Sequence, residues 1–485
     1  MFYSQAFKGR ATLSHSKNYI PTPVIYELAQ SAADREQSEF YDQVKPADFP
    51  EGILRYRNNQ AAQSVGLESL SDDEWKKHFW QFSPLPENIK TPLALRYHGH
   101  QFQHYNPELG DGRGFLFAQM KSQSGKILDL GTKGSGQTPY SRSGDGRLTL
   151  KGAIREALAT EMLPLIGVET SKTFSIFETG EPLRRNDEPS PTRSAVLVRL
   201  SHSHIRFGTF QRLAFFEKHT DIEKLIQYSC KNYFPNLTPN AENFFAEVTA
   251  RTAKLASEWM VGGFVHGVLN TDNMNITGES FDYGPYRFLP HYDPNFTAAY
   301  FDRSGLYCYG RQASACLWNL AQLAKAIESQ IEFKALEKHL ENFSEQFADN
   351  CAKKLLSRLG LKEKTEEDSQ KLIQSFFGFA EESQGLYEQT VFDLYGGAKP
   401  ERLEKSPLKI QYQLDSAKTL LQEIEKHEVE NPGQLNSEYY RGSICESLLY
   451  SEIEEIWKEI DTKNDWTLFN QKIERVKKIK AECVF

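Results

Sequence analysis

Residues His266–Asn273 read H-G-V-L-N-T-D-N, and nine residues after Asn273 stands Asp282 in F-D-Y-G. The spacing is that of a kinase catalytic loop, H-R-D-x-x-x-x-N, followed by a D-F-G turn. In that loop the Asp takes the substrate hydroxyl proton, while the Asn and the later Asp hold magnesium. Here the position of the acid holds Val268, and Asp272 stands directly before Asn273. A carboxylate at 272 can act as a general base if the acceptor hydroxyl approaches differently. Asn273 and Asp282 offer hard oxygen ligands suited to Mg2+ or Mn2+. The chain keeps the parts of a nucleotide–metal site and lacks the usual base for phosphorylation.

Other residues able to act on phosphate lie upstream. Gly110-Asp111-Gly112-Arg113-Gly114 precedes an apolar run, and bare glycine backbone with one guanidinium can approach phosphate closely. Alone, such a segment reads as well as a turn. Ser141–Arg147 is a second Gly-rich stretch, in which Asp145 and Gly146 could contact a nucleotide or form a common D-G turn. Lys133 closes the run Ile127–Thr132. Its expected partner is Glu156, in the manner of the strand Lys and helix Glu of a kinase; singly, each reads as an ordinary surface residue. Arg199 ends another apolar run and Arg206 lies seven residues on, so that with Lys133 they would form a deep polyphosphate pocket. His202, His204, His266 and His291 lack metal-ligand spacing and read as structural or surface residues.

The elements that must position these residues are legible in outline. Phe115–Met120, Ile127–Thr132 and Ala195–Leu200 read as strands bounded by turn residues. Leu150, Ile154, Ala157, Leu158 and Met162 fall at helical spacing, which places Glu156 on an amphipathic helix. Phe244–Trp259 reads as a helix leading into the His266 loop, residues 312–360 continue as helices, and charged helical stretches follow at Ser451–Glu459 and Gln471–Ala481. This order predicts an α+β, protein-kinase-like bilobal fold with extensions at both ends. The expected divisions are an N-terminal extension (1–95), an N-lobe (96–208), a helical C-lobe (209–330) and a helical C-terminal extension (331–485).

With 485 residues and a formal net charge of −8, the chain can bury large cores and offers no broad surface for nucleic acid or anionic membrane. No apolar run approaches the roughly 20 residues of a membrane span. Met1–Arg10 is polar, without the apolar stretch of a secretory signal. Six scattered cysteines with no C-x-x-C pair predict neither a disulfide framework nor a zinc site, and point to the cytoplasm.

Taken in order, several segments resemble the selenoprotein O (YdiU-like) family of protein adenylyltransferases, regarded as pseudokinases. They are G-H-Q-F at Gly99, L-G-D-G-R at Leu109, G-T-K-G-S-G-Q-T-P-Y-S-R at Gly131, S-G-D-G-R at Ser143, I-R-E at Ile154, R-F-G at Arg206, H-G-V-L-N-T-D-N-M at His266 and D-Y-G-P at Asp282. The resemblance covers about residues 45–395. It implies a kinase-like fold binding ATP in a flipped orientation, so that AMP passes to Ser, Thr or Tyr hydroxyls of other proteins and pyrophosphate leaves. Gly110, Gly112, Arg113, Lys133, Asp145, Gly146, Arg199, Arg206 and Asp282 are then the expected ATP contacts, supported by Glu156. Asp272 is the expected base, and Asn273 and Asp282 the expected metal ligands. A monomer is expected.

Two departures touch no catalytic role: Gln103 stands where the family leads one to expect Gly, and Gly114 where Ala is usual. Beyond residue 400 no clear counterpart is found, and Glu482, Val484 and Phe485 do not match the family's serine-rich ending. The resemblance also implies a redox role for Cys483 through a disulfide to the activation-like loop, with Cys308 the partner by position and Cys316 the second choice. The alternative is an inert terminal thiol. The competing functions are kinase-type phosphoryl transfer, which Val268 argues against, and a silent nucleotide-binding scaffold, which the retained Lys133, Glu156, Asn273 and Asp282 argue against.

Overall fold

Strands between Ile20 and Ser201 form the main sheet, Gly99–Gln101 and His104–Asn106 pair apart from it, and most of the chain after Ile205 is helical. The computed structural model describes residues 18–29, 35, 38–186 and 188–483; Met1–Arg10, Val484 and Phe485 lie outside the described residues. The structure is mixed α/β with an antiparallel sheet. Its main path runs Tyr41–Gln43, Leu93–Leu95, Leu116–Lys121, Ile127–Lys133, Thr192–Ser201, Lys172–Leu183, Ile53–Arg57. The three expected strands are present with slightly shifted ends.

The strand Lys172–Leu183, 12 residues long, was not expected from the sequence. It carries Gly180 and Pro182, two residues that ordinarily punctuate strands, and polar Thr173, Ser175, Glu178 and Thr179 are buried in it beside Phe174, Ile176 and Phe177. Glu178 explains part of its hold, since its carboxylate accepts from Arg55 on one neighbouring strand and Arg193 on the other, each at 2.6 Å.

The described residues pack into two compact units, one drawn from the stretches up to 96, 110–150 and 173–204 and the other from 97–109, 151–172 and 205 onward. The first has an aromatic core in which Trp75 stacks on Phe174 at 4.8 Å and Phe79, Phe82, Phe115 and Phe117 meet edge to face. Each such ring contributes roughly 2–3 kcal/mol by leaving water. The helix that supplies Trp75, Asp72–Phe79, is started by a capping box between Ser71 and Glu74.

The second unit contains the expected helices. Ala241–Val261, capped by Asn240, packs along Phe333–Leu359, and a core of Leu355, Leu359, Leu372, Phe376, Phe379 and Leu420 fills the space beneath. The helix Leu150–Leu165 carries Glu156, and Tyr450–Lys463 and Thr467–Glu482 form a C-terminal hairpin. Among the described residues no helix is long and apolar enough to cross a membrane.

Candidate active site

In the first unit, Lys133 ends its strand opposite Leu197, while Arg199 is opposite Gly131. In antiparallel pairs, opposed residues share a face and every second residue returns to it. Lys133 and Arg199 therefore lie on the same face as diagonal neighbours, and both are buried. Asp129, two positions before Gly131, shares this face. It is buried and accepts from Gln119 Nε2 at 2.9 Å and from the main-chain N–H of His204 at 3.0 Å. Burial keeps His204 below its ordinary pKa despite this carboxylate. Sequence reasoning gave Asp129 no role.

The two Gly-rich stretches of this unit are joined to each other. Gly134 N–H donates to the Arg113 carbonyl at 2.7 Å, Thr138 Oγ1 donates to Asp111 O at 2.6 Å, and Gly136 N–H donates to Gly146 O at 3.1 Å. The glycines answer to this packing: a β-carbon would lie 2.3 Å from the Tyr140 ring at Gly110, 2.8 Å from Tyr140 O at Gly112, and 2.3 Å from the Gly136 backbone at Gly146. The Arg113 side chain is exposed. The carboxylate of Asp145 is held by Arg185 at 2.7 Å and by the Arg147 N–H at 2.9 Å. Burial works to raise its pKa, and these donors together hold it below the usual carboxylate range. Gly110, Gly112, Arg113, Lys133, Asp145, Gly146 and Arg199 are thus brought into one unit; Glu156, Arg206, Asp272, Asn273 and Asp282 belong to the other.

In the second unit the His266–Asn273 loop is fixed along its length. His266 is buried; its N–H donates to Gln312 Oε1 at 3.0 Å, and its Nε2 meets Phe281 O at 3.0 Å, which links the loop to the residue before Asp282. Asn319 Nδ2 donates to Leu269 O at 2.9 Å. Asn270 Oδ1 accepts from Phe102 N–H at 3.0 Å and Tyr307 OH at 2.9 Å. Thr271 Oγ1 donates to Gln211 and accepts from His100 N–H, each at 2.7 Å.

Arg206 joins the two acids. It is buried, donates to the Asp272 main-chain carbonyl at 2.7 Å and stands 3.7 Å from the Asp282 carboxylate, with Tyr97 and Phe281 within 5 Å of its guanidinium carbon. Gly99 makes room for Asp272, since a β-carbon there would lie 3.1 Å from Asp272 Cβ and Oδ1. Gln103, where Gly was expected, has φ +64, a backbone conformation that favours glycine.

Asn273 and Asp282 carry oxygens of the kind a hard divalent cation takes as ligands. Asn273 Nδ2 is turned to Val268 O at 3.0 Å, so its amide oxygen faces the opposite way. Asp282 keeps a left-handed backbone, φ +64, and a side chain 24% exposed. Among the described residues no group of three or more His, Cys, Asp or Glu is placed to hold a metal alone. An ion held by Asn273 and Asp282 would complete its shell with water and phosphate oxygens. Cys308 and Cys483 are buried free thiols, and Cys483 Sγ donates to Ser437 Oγ.

The residues that sequence reasoning missed are the supports: Gly99, His100, Gln211, Gln312, Asn319 and Asp129. Two carried a usable signal. Gln312 and Asn319 are seven residues apart, on one side of an otherwise largely apolar helix, Gln312–Ile327.

The family described as Protein adenylyltransferase SelO matches residues 25–477. A protein of Trichodesmium erythraeum named Protein nucleotidyltransferase YdiU is 42% identical over 462 residues, covering 90% of this chain and 96% of its own. Its namesake in Gloeobacter violaceus is 41% identical over 456 residues, covering 91% and 93%. That of Vibrio cholerae is 38% identical over 341 residues, covering 70% and 68%.

Proposed function

The chain belongs to the SelO family of protein adenylyltransferases, and from that premise we propose that it transfers AMP from ATP to Ser, Thr or Tyr hydroxyls of other proteins. It is a protein nucleotidyltransferase. One observation carries the finer reading: Val268 occupies the kinase acid's position, while Asp272 is fixed through its main-chain carbonyl by Arg206 and its side chain lies against Gly99. A chain that had merely lost catalysis would have no need to build a seat for a second acid.

In this reading the acceptor oxygen attacks the α-phosphorus of ATP, its proton passes to an Asp272 carboxylate oxygen, and the bond from Pα to the bridging oxygen breaks to release pyrophosphate. Lys133 and Arg199, cations on one sheet face, would bind the departing phosphates and stabilise the charge that grows on them. The Gly110–Gly112–Arg113 and Asp145–Gly146 turns would complete the nucleotide contacts, with Glu156 in support and Arg206 and Asp282 completing the set. A Mg2+ or Mn2+ ion held by Asn273 and Asp282 would neutralise phosphate charge. The order of strand Lys133, helix Glu156, His266 loop and Asp282 turn supports a kinase-like fold. The scattered cysteines support a cytoplasmic enzyme, and we read it as a monomer.

The test is label transfer. The protein is incubated with a divalent metal and ATP labelled at the α- or the γ-phosphate, and label is followed into protein. Label from α alone is expected. Label from γ alone would establish phosphorylation instead, and nucleotide binding without transfer would make the chain a scaffold.

A further inference from the structure

The C-terminal hairpin has no part in the proposed chemistry, yet it grips the helix that bears Glu156. Lys151 donates to Glu454 at 2.8 Å and Lys480 to Glu161 at 2.5 Å, so both arms of the hairpin are tied to helix Leu150–Leu165. Tyr450 adds a third tie. The Arg155 guanidinium lies 5.7 Å from its ring centre and that of Arg287 3.7 Å. Arg155 is also bonded to the segment after Asp282: its Nη2 donates to Tyr286 O at 3.2 Å, and Tyr286 OH donates to Arg155 O at 2.6 Å. One aromatic ring therefore touches the Glu156 helix and the chain leading out of the Asp282 turn.

The hairpin is itself fastened. Lys472 is buried and donates to Glu446, to the Ser447 carbonyl and to Glu452. At 100° per residue, Lys151, Arg155 and Glu161 occupy one side of their helix, and Glu156 projects from roughly the opposite side. Contact on the back of the helix fixes its rotation and height, which in turn fixes the Glu156 carboxylate.

We propose that the hairpin Tyr450–Glu482 is a brace for the Glu156 helix, with Lys151, Glu161, Tyr450, Glu454 and Lys480 as positioning residues for AMP transfer. The functional half of this proposal rests on the reading of Glu156 given above. The brace itself does not.

The experiment uses the full chain and the variants Tyr450→Ala, Glu454→Gln and Lys480→Met, separately and combined. Lys463→Met serves as control, because its exposed pair with Glu459 lies on the same hairpin and does not touch the Glu156 helix. Hydrogen exchange, read by mass spectrometry, is compared in residues 150–165 and 333–359, and KM for ATP and kcat are measured. In the combined variant, exchange in 150–165 should rise about tenfold while 333–359 is unchanged, and KM for ATP should rise several-fold; Lys463→Met should alter neither. The swap Lys151→Glu with Glu454→Lys should restore what Glu454→Gln loses. Unchanged exchange in 150–165, equal loosening of both helices, or a swap that restores nothing would overturn the brace. Selective loosening with ATP kinetics unmoved would uphold the brace and remove its role in the reaction; selective loosening in a chain whose wild type transfers no AMP would leave the brace standing and refute the catalytic reading.

Discussion

Gly99 and Asp272 lie so close that a β-carbon at 99 would stand 3.1 Å from Asp272 Oδ1, tighter than an ordinary contact. A methyl group there must displace the carboxylate or the Leu109 side chain, 3.2 Å away. Gly99→Ala, which asks for only a small shift, should lower kcat several-fold, and the branched Gly99→Val roughly a hundredfold, the scale of loss expected from misplacing a reacting group by about 1 Å. Affinity for ATP should be nearly unchanged. A Gly99→Val enzyme with wild-type kcat would refute the placement of Asp272 as base.

Arg206 holds the Asp272 carbonyl and faces the Asp282 carboxylate from one buried guanidinium. A lysine has one compact ammonium in place of a planar fork and cannot serve both. Arg206→Lys should therefore lose activity by roughly a hundredfold, although charge is conserved. Steady-state kinetics on the purified variant decide the matter; a loss below threefold would show that the fork is dispensable.

The metal assignment predicts a specific kinetic signature. Asp282→Asn and Asn273→Ala should each raise the Mg2+ or Mn2+ concentration for half-maximal transfer by at least about tenfold. Thermal stability should change little, as the Asp282 side chain is partly exposed. If metal dependence stays at the wild-type value while activity falls, Asp282 and Asn273 act in some other way.

Glu178 predicts the acid limb of stability. Burial works to raise its pKa, but hydrogen bonds from Arg193 and Arg55 outweigh this and hold it below the ordinary value of 4.5. A carboxylate depressed in the folded state stabilises at pH values above its unfolded pKa, and the benefit is lost as pH falls through the folded value. Glu178→Gln should cost about 1.5–3 kcal/mol at pH 7. Its melting curve should converge with that of the wild type as pH falls below 4.5 and through the depressed folded-state pKa of Glu178. Parallel curves from pH 7 to pH 3 would exclude this origin.

What the sequence disclosed was local. The spacing of His266, Asn273 and Asp282 survives in the chain because those residues share one folded segment, and the apolar periods of Ile127–Lys133 and Leu150–Leu165 are uninterrupted. What it hid was long-range. Arg185 reaches Asp145 across 40 positions, Gln211 reaches Thr271 across 60, and Gly99 meets an acid 173 residues away. None of these pairs has a local signature. Arg206 was expected as a phosphate contact; in the fold its backbone bridges to Asn275, 69 positions on, while its side chain meets the Asp272 carbonyl and faces the Asp282 carboxylate.

The chain passes from one compact unit to the other at residues 96–97, 109–110, 150–151, 172–173 and 204–205. Neither unit is therefore an uninterrupted stretch that could be cut out, expressed alone or exchanged with a relative by a single join. A fragment ending at residue 204 would carry the sheet together with two orphaned pieces, 97–109 and 151–172, whose partners had not been made. During synthesis those pieces gain the rest of their own unit only once the helices after Ile205 have emerged.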